Sequence, residues 1–373
     1  MEVVSAILAF LVILTVLVFV HEMGHFLVAR RNGVRVEVFS IGFGKEIFGW
    51  TDKYKTRWKF SMVPLGGYVK MFGDANAASQ PSADFSELSA EEQAVAFQTK
   101  RLGQRFWIVA AGPLANFLFA WVILVGLFVT VGQQFTPPEV GAVMPGSAAE
   151  VAGMLPGDRI LELNGVAIER FEDVQRIIRP NPEVRVEILV LRDGAPVALT
   201  ATPELSELTN NFGMTQEIGL LGITRGGVEY VQHGFAVAIW RAGGEVWFLS
   251  RATLEALGQI IVGNRSAKEL GGPIRIAQMS GAYADAGLVP TLGFMVMLSV
   301  TLGLINLFPI PMLDGGHLLF YIIEFARGRP LGERAQEYGF RIGIALVFSL
   351  MIFVTLNDLI QLEVFDFIMD LAT

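Results

Sequence analysis

Residues 3–30 read VVSAILAFLVILTVLVFVHEMGHFLVAR, an apolar run that closes on two histidines and a glutamate. Roughly 20 apolar residues cross the ~30 Å hydrocarbon core of a bilayer as a helix, and this run is long enough. A signal peptide would place basic residues before the apolar stretch and small residues at a cleavage site. Here Met-Glu-Val-Val precedes the run and HEMGHF ends it, so the segment reads as a retained transmembrane helix. Working outward, further apolar runs at 106–131, 292–312 and 340–356 predict three more spans. The 373 residues are 53% hydrophobic and 17% charged, whereas soluble domains carry about 25% charged residues. The expected fold class is therefore a polytopic α-helical membrane protein with four transmembrane helices.

Charge sets the expected orientation. Residues 30–105 carry twelve Lys and Arg, and Arg327, Arg329 and Arg334 follow the third span. The N-terminal stub has none, and beyond Asn357 the chain has only acids, Asp358, Glu363, Asp366 and Asp370. Basic loops face the cytoplasm, which places both termini and the long stretch from Gly132 to Val289 outside. A net charge of −8 without a basic block argues against nucleic-acid binding. No cysteine is present, which excludes disulfides, thiolate metal sites and cysteine nucleophiles.

Any transition-metal site must then use imidazole and carboxylate, and the only histidines are His21, His25, His233 and His317. His21, Glu22 and His25 fit H-E-x-x-H. Residues four apart share a helix face, so both imidazoles can point at one Zn²⁺ while Glu22 takes a proton from water. Two histidines packed in a helix are the bland alternative, but such groups within an apolar span are costly unless they serve each other or an ion. The third ligand is expected at Asp314, because spans one and three run parallel and bring both motifs to the cytoplasmic end. Pro309 and Pro311 break the third span and free backbone groups that need partners. Asn306 could hold a substrate backbone or a developing oxyanion, or make an interhelical hydrogen bond. His317 could assist Asp314, replace it, or sit at the interface; His233 reads as structural.

The basic segment also alternates in polarity at 34–39 and in part of 58–63, which predicts strands. Gly66 and Gly67 are turn or close-approach positions. Such strands beside an active site could hold an extended substrate by edge pairing, or form an ordinary hairpin. Residues 74–92 turn polar and predict a flexible loop. Outside, residues 137–204 predict a small α+β module with a helix at 171–178 and strands at 184–191 and 197–201. Residues 230–262, with Arg241, Glu245, Arg251 and Glu255 at helical spacing, predict an amphipathic helix, either on the membrane surface or buried in the outer module.

HEMGHFLVAR (21–30), PLGGYVKMFGD (64–74), AGPLANF (111–117), LPGDRILELNG (155–165) and NLFPIPMLDGGH (306–317) together resemble the site-2 protease family, most closely its bacterial RseP-type members. The motifs follow family order over most of the chain. The resemblance implies an intramembrane zinc metalloendopeptidase of the bacterial inner membrane, with His21, His25 and Asp314 on the metal and Glu22 as acid/base. It implies that Asn306, Pro309 and Pro311 shape substrate binding, and that residues 34–70, including Gly66, Gly67 and Tyr68, form a membrane-associated β region that handles substrate. Its implied partners are the lipid bilayer, single-span proteins such as an anti-sigma factor, and remnant signal peptides. The outer module then becomes a periplasmic PDZ-like domain.

The expected domains are residues 1–132, 133–205 for the PDZ-like module, 206–289 as linker and surface helix, and 290–373. The best-known RseP-type protein carries two PDZ domains, and this chain shows one. Arg275 stands where relatives usually have a small residue, and the sequence offers no account of it. A non-enzymatic adaptor and a metal- or proton-coupled transporter are the competing classes. The intact HEMGH disfavours the first, and four spans without an internal repeat disfavour the second.

Overall fold

The Pro309–Pro311 break expected in the third span divides two helices, and the rest of the chain follows the same alternation of long helices and short sheets. The computed structural model describes residues 2–73, 89–209, 215–227, 229–263, 267 and 270–361. In chain order, α1 (Glu2–Arg31) leads into β1 (Val36–Thr51), β2 (Arg57–Met71), α2 (Ala90–Val95) and α3 (Leu102–Thr130). Then come β3 (Gln133–Phe135), β4 (Val140–Val143), α4 (Ala148–Val151), β5 (Arg159–Leu163), β6 (Val166–Ala167) and α5 (Phe171–Ile178). Strands β7 (Val186–Arg192), β8 (Ala195–Ala201), β9 (Glu204–Thr209), β10 (Thr215–Leu220), β11 (Ile223–Arg225) and β12 (Glu229–Val231) follow. The chain closes with α6 (Phe235–Val262), α7 (Pro273–Asp285), α8 (Leu288–Asn306), α9 (Asp314–Arg327) and α10 (Glu333–Gln361). By length and composition, four of these helices can cross a membrane: Val3–Arg31, Leu102–Thr130, Leu288–Asn306 and Arg334–Ile360.

The contacts divide the chain into one unit of Met1–Val125 with Ile239–Thr373, and a second of Gly126–Ala238. In the first unit, Ile13 and Leu17 of α1 pack with Phe294 and Met295 of α8, joined by Ile276 and Met279 of α7. Further along α1, Phe26 and Ala29 bury against Phe39 and Val69 of the sheet, Ile108 of α3 and Tyr321 of α9. The β1–β2 ladder is bulged. Phe39 pairs with Val69 on one side and Trp58 on the other, and Ile41 pairs with Gly67 and Phe60. The start of β1 is thus flanked on both sides, which leaves the Gly67–Met71 end of β2 at an edge of the sheet. Both strands run longer than the alternating stretches alone predict, because bulges interrupt the period the sequence shows.

Three other readings change. Of the loop expected at 74–92, residues 74–88 lie outside the described part, and α2 starts right after with a Ser89–Glu92 capping box. The stretch between the third and fourth expected spans, for which no element was expected, contains a helix, α9. Strands β9 to β12 fall almost wholly within residues 206–289, expected as linker and surface helix, and instead pair within the second unit: β11 with β4, β12 with β3, and β9 with β10. These strands are only 3–6 residues long, too short for a period to declare itself, and two of them find partners some 80–100 positions away.

Within that second unit a four-stranded sheet, ordered β6-β5-β7-β8, packs its inner face on α4 and α5. Ile188 and Val190 alternate along β7 into the core, where Ile160 and Leu163 join them from either side of an irregularity in β5, with Val174 and Ile178 of α5. Arg192 grips the buried Asp158 with two nitrogens, at 2.8 and 2.7 Å. That guanidinium holds the Asp158 carboxyl below the usual range and fastens the turn before β5 to the end of β7.

Candidate metal centre

Four elements meet at the centre. Helix α1 brings His21, Glu22 and His25, whose Nε2 atoms on His21 and His25 lie 3.3 Å apart. Asp314 opens α9, and its Oδ2 stands 3.1 Å from His21 Nε2 and 3.5 Å from His25 Nε2. Among the described residues this is the one group of three such donors, all within 4.8 Å of one another. Both histidines are buried, and Asp314 Oδ2 is buried with no hydrogen-bond partner. A carboxylate oxygen aimed at two imidazole nitrogens, yet bonded to neither, is poorly satisfied as it stands; a cation among the three would satisfy all of them. Two nitrogens and a carboxylate oxygen suit Zn²⁺, and three protein ligands leave a fourth position open.

Local sequence explains how Asp314 reaches this point. Helix α8 stops at Asn306, six residues earlier than the apolar run suggested, because Pro309 and Pro311 lack N–H groups and restrict the residues before them. The chain then folds back over the first turn of α9. A Cβ on Gly315 would lie 2.2 Å from the Phe308 carbonyl oxygen, and one on Gly316 would lie 2.5 Å from that of Ile310. The two glycines after Asp314 therefore permit the fold-back, and Met312 takes a left-handed φ of 94° to complete it. Asp314 itself occupies the first turn of α9, where the helix dipole favours a negative charge. Arg105 of α3 bonds Glu324 of α9 at 2.7 Å, with both side chains largely buried, which fixes α9 against α3.

The other expected site residues separate. Gly67 lies against α1: a Cβ there would be 3.4 Å from Glu22 Cγ, and the Val69 backbone interacts with the Glu22 carboxylate. Gly66 and Tyr68 instead pack on Phe43, with Tyr68 stacked at 6.1 Å and a Gly66 Cβ clashing with the ring. Pro311 is half-buried, and Gly343 of α10 abuts its carbonyl so closely that a Cβ would fall 1.8 Å away. Asn306 ends α8 half-buried and Pro309 is exposed; neither belongs to the three-donor group. His317 falls outside that group, edge-on to Phe340. His233 sits in the second unit, with Nε2 3.2 Å from Gln133 Oε1.

Three further residues complete the surroundings, and the sequence assigned them no role. His25 Nδ1 donates to the Ile108 carbonyl at 2.9 Å. His21 Nδ1 lies 3.2 Å from the Asn116 amide. Gly112 presses against both rings, since a Cβ would sit 2.3 Å from His25 Nε2 and 2.9 Å from His21 Cε1. All three lie on α3, in or beside AGPLANF. A Gly-Pro pair and a lone amide within an apolar span were the available signal.

The chain belongs to peptidase family M50, the site-2 protease family, whose model matches residues 9–350. It is a membrane protein and a zinc metalloprotease. Among relatives, a Rhizobium meliloti protein provisionally named a zinc metalloprotease is 46% identical over 94% of this chain and 95% of its own. Metalloprotease MmpA of Caulobacter vibrioides is 37% identical over 97% of both chains. Among solved structures, the PDZ domain of an SdrC-like protein from Listeria monocytogenes is similar to 24% of this chain and covers 88% of its own, at 17% identity and a TM-score of 0.20.

Proposed function

We propose that this protein hydrolyses peptide bonds within the transmembrane segments of single-span substrates, in regulated intramembrane proteolysis. His21, His25 and Asp314 hold the zinc, and Glu22 is the catalytic acid/base. One observation carries this reading: a buried, unbonded Asp314 oxygen meets two imidazole nitrogens of an apolar helix. When bound there, zinc supplies Lewis-acid chemistry, polarising a carbonyl and acidifying water. The Glu22 carboxylate, one residue from His21, takes a proton from the attacking water and later delivers it to the leaving amine.

The open edge of β2 at Gly67–Met71 lies beside Glu22 and offers main-chain groups to an extended peptide. A substrate helix has to unwind first, because its scissile bond is shielded by its own hydrogen bonds and side chains. As the family resemblance implies, Asn306, Pro309 and Pro311 shape substrate binding, and Gly66 and Tyr68 belong to the strand that handles it. The chain sits in the bacterial inner membrane with both termini and the PDZ-like module in the periplasm, which the distribution of Lys and Arg supports. Its substrates are anti-sigma-factor-like single-span proteins and remnant signal peptides, and the PDZ-like module gates their access or binds a newly exposed C-terminus.

Glu22→Gln in the full-length protein is the test. Cleavage of a single-span model substrate should fall below detection in detergent micelles, while metal analysis still finds one zinc per chain. Cleavage by the variant at the wild-type rate would refute the role of Glu22, and a variant lacking zinc would place Glu22 among the ligands instead.

A further inference from the structure

We infer that Asn116 is a positioning residue for the metal centre: its amide oxygen accepts the Nδ1 proton of His21 and so holds that ring with Nε2 free to ligate. The inference rests on reading His21, His25 and Asp314 as the zinc ligands.

It begins with the direction of the rings. Both Nε2 atoms converge on Asp314 Oδ2, so a cation there takes its lone pairs from Nε2 of each histidine. Each ring must then carry its proton on Nδ1, and each Nδ1–H needs an acceptor. For His25 the acceptor is plain. The Ile108 carbonyl, 2.9 Å from Nδ1, can only accept, so it fixes both tautomer and orientation. For His21 the corresponding neighbour is the Asn116 amide, 3.2 Å from Nδ1.

An amide can meet that nitrogen with either of two ends of nearly identical shape. With Nδ2 toward the ring, Asn116 donates to the Nδ1 lone pair. That pushes the His21 proton onto Nε2, the atom the metal needs, and leaves Asn116 Oδ1 buried without a partner. The structure holds the amide in that orientation; a half-turn brings Oδ1 to the Nδ1 proton and frees the Nε2 lone pair for the metal, with Nδ2 taking the buried place that Oδ1 leaves. Asn116 is 0% exposed, so its amide has to find its partners inside the molecule. Its place is fixed from the other side as well, because Ser299 Oγ of α8 donates to the Asn116 backbone carbonyl at 2.9 Å. One residue of α3 thus ties a ligand ring on α1 to the helix that leads into the Asp314 loop.

An asparagine serving only as polar glue between helices predicts something different. Zinc affinity separates the two in full-length protein in detergent, measured by competition of a chelator against zinc alone. Asn116→Leu keeps the size and removes the acceptor, and should weaken zinc binding by about 10–100-fold. Asn116→Asp keeps only acceptor oxygens and should bind zinc like the wild type. Wild-type affinity in Asn116→Leu, or an equal loss in both variants, overturns the inference. If Asn116→Leu does not fold, Asn116→Asp decides alone: retained affinity supports the acceptor role, and a tenfold loss overturns it.

His25→Ala, run beside them, distinguishes the two levels of failure. If it holds zinc as well as the wild type, the ligand reading itself falls and takes Asn116 with it. If it loses zinc while Asn116→Leu keeps it, only the Asn116 role falls.

Discussion

At Gly24 and Gly112 the backbones of α1 and α3 touch with no room for a methyl group. A Cβ on Gly24 would stand 2.2 Å from the Ala111 carbonyl oxygen, and one on Gly112 would stand 2.3 Å from His25 Nε2. This closeness lets the Ile108 carbonyl and the Asn116 amide reach the Nδ1 side of the two rings, so the histidines face Asp314 in one orientation. Gly112→Ala should therefore displace the imidazoles while leaving every proposed ligand in the chain. Its expected outcome is at least a tenfold loss of zinc affinity by chelator competition, of the order that disturbed outer partners of a metal site cause. An alanine variant that binds zinc as the wild type does would show that the rings tolerate movement of α3. The residue scale is also where the sequence is most and least informative. His21, Glu22 and Asp314 stand out because ionisable groups in apolar segments are expensive, whatever the fold. Gly112 and Asn116 give a weaker signal, a Gly-Pro pair and one amide, because small and amide residues also serve plain helix packing in membranes. Their roles depend on which helix lies opposite.

Among the elements, the break between α8 and α9 matters most. An apolar run does not reveal where a helix stops, so the sequence carries the third span to residue 312, whereas α8 ends at Asn306. Pro309 and Pro311 were legible as a break. The fold-back onto Gly315 and Gly316 was not, since it is made by contacts of Phe308 and Ile310 with the next helix. Helix α10 then seats on this loop through Gly339 and Gly343, a small-xxx-small pair that lets backbones approach closely. The Cβ of a side chain at 343 would fall 1.8 Å from the Pro311 carbonyl oxygen, so α10 or the loop must give way. Gly343→Leu should accordingly move the loop that carries Asp314 and reduce peptide-bond cleavage by about two orders of magnitude, the usual cost of a misplacement near 1 Å. The variant should still insert and purify as a folded protein, because the rest of α10 keeps its apolar surface. Single-turnover cleavage of a model substrate is the measurement, and an unchanged rate would show that the Pro311 contact does not position the ligand loop.

For the whole molecule, the informative feature is how the second unit is inserted. Its first strand, β3, pairs antiparallel with its last, β12, so that Gln133 lies opposite Val231 and Phe135 opposite Glu229. The chain therefore enters and leaves the unit at neighbouring points, as an insertion into a continuous membrane unit would. The sequence marked the central strands of this module through their alternation, but its return strand carries three residues and no visible period. The boundary expected at residue 205 consequently falls short of the unit's end at Ala238. Closing β3 to β12 directly follows from this geometry: residues 136–228 can be replaced by an Asn-Gly pair, which favours the type I′ turn of a two-residue hairpin. Every proposed ligand, along with Glu22 and Asn116, belongs to the other unit, whose cores draw on α1, α3 and α7 to α9 and on the β1–β2 sheet. The shortened protein should keep one zinc per chain and the affinity of the full chain, by metal analysis and chelator competition. It should also retain Glu22-dependent cleavage of a model substrate, because among the described residues the three donors all come from the other unit. A shortened protein that inserts in the membrane but cannot hold zinc would mean that the centre depends on the inserted unit for its geometry, and the division of labour argued from the pairing of β3 with β12 would fail.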